Sequence, residues 1–162
     1  MTDCCAPMPT GPSELEARAL VRRFLAAYLN YVPATAEHGF AEALNLMTGN
    51  LRAYTLNKLR DEEVLEKIKA ASMVSTFVVR SIEPVKGIPY AFMAFGVREV
   101  RQVKNGLETT DRIVSRHNLR LALTPRTEIN PGGLLVGEYW EQQILGDKNH
   151  GLLQPSQLDS NP

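Results

Sequence analysis

Leu20, Val21, Phe24, Leu25, Tyr28 and Leu29 recur at the three-and-four spacing of one helix face, and Arg18, Arg22 and Arg23 fall largely on the other side. Ser13 is placed to cap this helix, with Glu14 and Glu16 favourable in its first turn. The pattern ends near Tyr31, because Val32 precedes Pro33 and is pushed out of helical backbone. A second helix opens at Pro33-Ala-Thr35 and carries Phe40, Ala43, Leu44 and Met47 before Thr48-Gly49-Asn50 breaks it. A third helical region spans 51–71, with a joint predicted at Arg60-Asp61. The acidic run Asp61-Glu62-Glu63 suits a helix start or a solvated face.

The period then changes from helix to strand. Residues 74–82 are rich in β-branched side chains around Phe77 and predict a strand. A turn at 84–89 leads to a second strand over 90–103, long enough to need a bend at Gly96. Asn105-Gly106 is a two-residue hairpin signal. Pairing across it sets Lys104 opposite Leu107 and Glu99 opposite Arg112. The third strand runs over 107–124, where Leu119, Leu121 and Leu123 face one way and Arg120, Ala122 and Thr124 the other. The fourth covers 134–144; its neighbours Tyr139 and Trp140 must face opposite sides, one under the helices and one outward.

Between the last two strands stands Asn130-Pro131-Gly132-Gly133. The Asn side chain can bond backbone two residues on, Pro fixes φ, and the glycines can take positive φ. The prediction is a hairpin with a rigid, protruding tip. Helices first and a four-stranded antiparallel meander after them imply an α+β fold, with the helices packed on one face of a curved sheet. Residues 13–146 make one domain, after a Pro-containing disordered lead at 1–12 and before a polar tail at 147–162.

Charge and chemistry narrow the function. The 162 residues carry 18 basic and 18 acidic side chains, a net charge of zero, which gives no nucleic-acid or anionic-membrane signal. The only cysteines, Cys4 and Cys5, are adjacent and predict no structural disulfide. His38, His117 and His150 share no ligand spacing, so neither a metal site nor a cofactor is expected. There is no phosphate-binding glycine loop and no nucleophile elbow. His117 alone offers acid–base chemistry. It shares a strand face with Ile113, Leu119 and Leu121, and Asp111 or Glu138 is the carboxylate to approach it. Without a catalytic constellation, no enzyme activity is expected; a small-molecule enzyme or ligand carrier using His117 with a carboxylate is the alternative.

The Asn130-Pro131-Gly132-Gly133 turn, with Tyr139 six residues after Gly133, resembles a mark of the periplasmic domain of the VirB-type inner-membrane assembly factor of type IV secretion systems, the eighth VirB protein, called TraE in conjugation systems. The resemblance extends over about 13–144. It includes Asn30-Tyr-Val-Pro33-Ala-Thr35, a helix with Lys67 and Lys69, and Ser75-Thr-Phe77 entering the sheet. It implies a cone-shaped fold related to nuclear transport factor 2 and a non-catalytic assembly role at the periplasmic face of the bacterial inner membrane. Asn130, Pro131, Gly132 and Gly133 would be the loop that contacts other secretion subunits. Weak homo-oligomerisation is implied too, with the long first helix a candidate surface. Family members carry one N-terminal membrane helix before this domain. No apolar run here approaches the ~20 residues that span a bilayer, so the expectation is a soluble domain shortened of that helix.

Overall fold

The computed structural model describes residues 11–146. The expected tail, and all but the last two residues of the expected lead, lie outside them. Four helices come first: α1 (Glu14–Leu29), α2 (Ala36–Asn45), α3 (Gly49–Asp61) and α4 (Val64–Ala70). Four strands follow: β1 (Val74–Pro84), β2 (Ala91–Lys104), β3 (Leu107–Leu123) and β4 (Leu134–Gly146). They form one antiparallel sheet in the order β1-β2-β3-β4, as the sequence pattern predicts.

Ser13 caps α1 through a full capping box with Glu16. The predicted face, Val21, Phe24, Leu25 and Leu29, is buried against Phe77, Phe92, Leu119, Leu121 and Val136 of the sheet. Burying each such side chain stabilises by about 1.5–3 kcal/mol, so this seam is the main attachment of helices to sheet. The joint in the third helical region falls two residues later than predicted. Asp61 ends α3, and Glu63 adopts left-handed backbone at φ 50° before α4 begins. Thr48 and Gly49 start a helix rather than only breaking one, because the Thr48 hydroxyl accepts from the Leu51 N–H.

The Asn105-Gly106 turn has positive φ at both residues, 53° and 76°, the type I′ geometry of a two-residue hairpin. Lys104 pairs with Leu107 and Glu99 with Arg112, as the turn dictates. Gly96 marks a close approach. A Cβ there would lie 2.4 Å from the Phe77 ring and 2.5 Å from the Val78 carbonyl, beside the bulge in β1.

Candidate functional site

Two places carry the residues singled out in the sequence, and they are far apart in character. The first is the turn between β3 and β4. Asn130 is its brace. The side-chain Oδ1 accepts from the Gly133 N–H at 3.2 Å, and Nδ2 donates to the Leu134 carbonyl at 3.1 Å. Its own N–H donates to the Thr127 hydroxyl at 2.9 Å. Gly133 takes φ 65°, and a Cβ there would meet the Thr124 carbonyl at 2.9 Å, so glycine is required twice over. Gly132 does not share this left-handed backbone. Arg126 ties the loop to the first helix, donating to the Pro131 carbonyl at 3.3 Å and lying 3.5 Å from Glu16 Oε2. That ion pair is half open to solvent and adds little stability, but it sets where the loop sits.

Pro131 is exposed on this braced turn, and Ile129 beside it is 95% exposed. A β-branched side chain held almost wholly in water was not singled out in the sequence; only the fold separates it from core isoleucines. Between the loop, α1 and α2 runs a groove of about 670 Å³, with Ala19, Leu20, Leu46, Ile129 and Leu134 among its lining. Arg126–Glu16 and Arg23–Glu42 ion pairs stand on its walls.

The second place is His117, at 0% exposure on the helix-facing side of β3. Ser115 Oγ lies 2.8 Å from Nε2, and the Tyr139 hydroxyl lies 2.8 Å from Nδ1. The Phe77 ring packs edge-on at 4.7 Å between centroids. Burial, and then the Arg98 cation, push the imidazole pKa down to about 3, so the ring is neutral at physiological pH. A neutral imidazole has one donor and one acceptor nitrogen, and both are satisfied here. Burial likewise holds the Tyr139 hydroxyl well above its ordinary pKa.

Neither expected carboxylate reaches His117. Glu138 faces away and pairs with Arg120 at 3.8 Å. Asp111 sits six residues along the same strand, roughly 20 Å away at strand spacing. The carboxylate that approaches is Glu141, its register partner on β4, with Oε2 at 3.9 Å from Nε2. The sequence signal existed, since Glu141 is two residues from Tyr139 on the same face, but the partner could be chosen only once the β4 bulge set the register. Glu141 in turn lies 3.7 Å from Arg98, which donates to Ser75 Oγ at 3.0 Å and to the Tyr31 hydroxyl at 3.2 Å. This is a connected polar layer on the helix-facing side of the sheet, in which the buried Glu141 Oε2 makes no hydrogen bond. A ring with no exposed edge and both nitrogens engaged presents nothing to a substrate, so the acid–base alternative draws no support from the geometry. Among the described residues no cluster of histidines, cysteines and carboxylates could hold a metal ion.

Comparison with known proteins agrees on the fold. No family profile matches the chain, and no curated protein sequence does. Among solved structures, the Agrobacterium tumefaciens VirB8 protein superposes with a TM-score of 0.64 at 14% identity, over 82% of this chain and 93% of that one. The soluble domain of TrwG, from the type IV secretion machinery of Bartonella grahamii, gives 0.65 at 16% identity, over 82% and 96%. TraE protein, in complex with 2-(2-furyl)isonicotinic acid, gives 0.61 at 13%, over 83% and 100%. At such identities the likeness is one of fold: this chain has the α+β, nuclear transport factor 2-like architecture of VirB8-type domains.

Proposed function

We propose that this chain is the periplasmic domain of a TraE/VirB8-type assembly factor, a non-catalytic structural component of a type IV secretion or conjugative transfer apparatus. It works at the periplasmic face of the bacterial inner membrane. Its partners are other inner-membrane and channel subunits and, weakly, further copies of itself. Among the described residues no helix is long and apolar enough to cross a membrane; the membrane helix that precedes such domains in the family would supply the anchor.

The observation that carries this reading is the β3–β4 turn. Its backbone is braced by Asn130 and held against α1 by Arg126, yet it presents Ile129 and Pro131 outward. A loop already fixed loses little ordering entropy on docking. An exposed apolar side chain on such a loop suits a partner's pocket. Asn130, Pro131, Gly132 and Gly133 are therefore the contact loop, with Asn130 and Gly133 shaping it and Pro131 touching the partner.

The brace alters which substitutions are informative. Asn130→Ala removes two side-chain hydrogen bonds and should cost about 1–2 kcal/mol, so a loss of function there confounds folding with contact. Ile129→Asp and Pro131→Ala touch no bond that holds the fold and should change stability by ~0.5 kcal/mol or less. In a cell that depends on this protein for conjugation or secretion, the double variant is expected to reduce transfer by orders of magnitude while the domain melts as wild type. Transfer at wild-type frequency would reduce the loop to a chain reversal. Self-association is read separately by sedimentation up to near-millimolar protein, where a strict monomer removes that part of the reading.

A further inference from the structure

Among the described residues, the last strand leaves a stretch of backbone unused. The Leu121 N–H donates to the Tyr90 carbonyl, so the odd-numbered residues of β3 around it face β2. Arg116, Asn118 and Arg120 then face β4, where they pair with Gln142, Trp140 and Glu138. By alternation, the main-chain groups of Tyr139, Glu141 and Gln143 point away from the sheet. None of the backbone hydrogen bonds formed outside helices and strands by the described residues involves them. Bulges at Gly137 and Ile144 bound this stretch, since each is skipped in the pairing register. Just beyond the first bulge the chain fills its own edge: Val136 takes a hydrogen bond from the Thr48 N–H and gives one to the Leu46 carbonyl.

We propose that the β4 edge between Gly137 and Ile144 is a strand-addition site, taking an extended partner segment in which basic and apolar side chains alternate. Edge pairing supplies main-chain hydrogen bonds, and alternate side chains supply selectivity. On the helix-facing side the neighbour of an added strand is Glu141. It lines a cavity of about 170 Å³ with Tyr28, Phe40, Lys58 and Glu62. Arg98, also in that cavity, lies 3.7 Å from Glu141 Oε1 and donates to Ser75 and Tyr31. Glu62 forms no ion pair among the described residues, and beside the Arg98-paired Glu141 it can take a basic head group whose aliphatic stem packs on the aromatic rings. On the opposite side Trp140 is 54% and Ile144 47% exposed, alternating with Glu138 and Gln142, so apolar side chains of the added strand pack at Trp140 and Ile144. A second copy of β4 centred on Glu141 is a poor occupant. Adding it antiparallel about Glu141 would set Glu141 directly against Glu141, and like charges so placed repel.

The inference deepens the assembly reading by naming a partner chemistry, and the two fail separately: transfer assays test the role, peptide binding tests the edge. The probe is a synthetic acetylated, amidated peptide of alternating valine and lysine, titrated into isotope-labelled full-length protein. The expected result is shifts of the Tyr139, Glu141 and Gln143 amides together with slowed hydrogen exchange there. Replacing lysine by glutamate in the peptide should weaken binding by roughly tenfold or more. Gln143→Pro deletes an outward N–H and no ladder bond; it should weaken binding by a similar factor without changing the melting temperature. If that variant does not fold, Glu141→Lys replaces it, and it should come to prefer the glutamate peptide. Shifts confined to the β3–β4 turn or to β1, no shifts at all, or equal binding of the two peptides would overturn the proposal.

Discussion

At the β1 edge of the sheet, Ser75 exchanges both backbone hydrogen bonds with Tyr31, each at 2.9 Å, and Asn30 Oδ1 takes the Phe77 N–H at 2.7 Å. Arg18 closes the far end by donating to the Ile82 carbonyl. At the β4 edge Val136 is bonded in this way, and among the described residues the run from Tyr139 to Gln143 has no such stitch. The two edges belong to one sheet, but among the described residues one is stitched along its length and the other is not. Open edges are an aggregation hazard that proteins blunt with bulges and inward charges. Here Gly137, Ile144 and Glu141 are those devices, and they leave the edge selective rather than closed. The stitch at β1 also accounts for two pieces of sequence that drew attention separately: Asn30-Tyr31 and Ser75-Thr-Phe77 are bonded to one another.

The largest expected effect contrasts a glycine near each edge. Gly96→Ala puts a Cβ inside the Phe77 ring and the Val78 carbonyl, at 2.4 and 2.5 Å. It should destabilise by about 3 kcal/mol or more, because backbone must move. Gly137→Ala meets Ala122 and Arg120 at 3.5 Å and Thr48 at 3.7 Å, all ordinary contacts, and should cost less than about 1 kcal/mol. Urea denaturation of the two variants reads the difference. Equal losses would mean that the β1 side is no more tightly locked than the β4 side.

A second effect lies in the polar layer between the edges. His117 is neutral in the fold, with its pKa lowered to about 3 from an ordinary 6.5. Below pH 6.5 the unfolded chain takes up a proton that the folded chain refuses. Stability is therefore full above pH 6.5 and is lost progressively as pH falls toward 3, by up to about 1.4 kcal/mol per pH unit from this group. His117→Gln should flatten that part of the profile, although the variant starts from a lower plateau. An unchanged slope in urea titrations between pH 6.5 and 4 would show that other groups set the acid sensitivity.

The smallest effect tests the stitch itself. Asn30→Ala leaves the Phe77 N–H without its acceptor and should cost about 1–2 kcal/mol. It should also raise hydrogen exchange at Phe77 toward the rate of the open β4 amides. Exchange at Phe77 that stays slow would mean that water or a neighbour takes over, and the contrast between the edges would narrow.

Local rules reached most of the fold. The 3.6-residue period with Ser13 and Glu16 set α1, and positive φ at Asn105-Gly106 set the β2–β3 register to the residue, because both depend on neighbours close along the chain. The meander followed from short turns between successive strands. The Asn130 turn was legible as rigid for the same reason, since its bonds run to Thr127, Gly133 and Leu134. The joint at Glu62-Glu63 was misplaced by two residues, as the left-handed backbone of Glu63 is imposed by how α3 and α4 pack and not by any glycine. The carboxylate beside His117 was misassigned because bulges at Gly137 and Ile144 change which residues of β4 stand opposite β3. Ile129's exposure, the closing of the β1 edge by Asn30 and Tyr31, and the open β4 edge were decided by tertiary structure alone. Each depends on residues dozens of positions apart being brought together or kept apart, which no local period encodes.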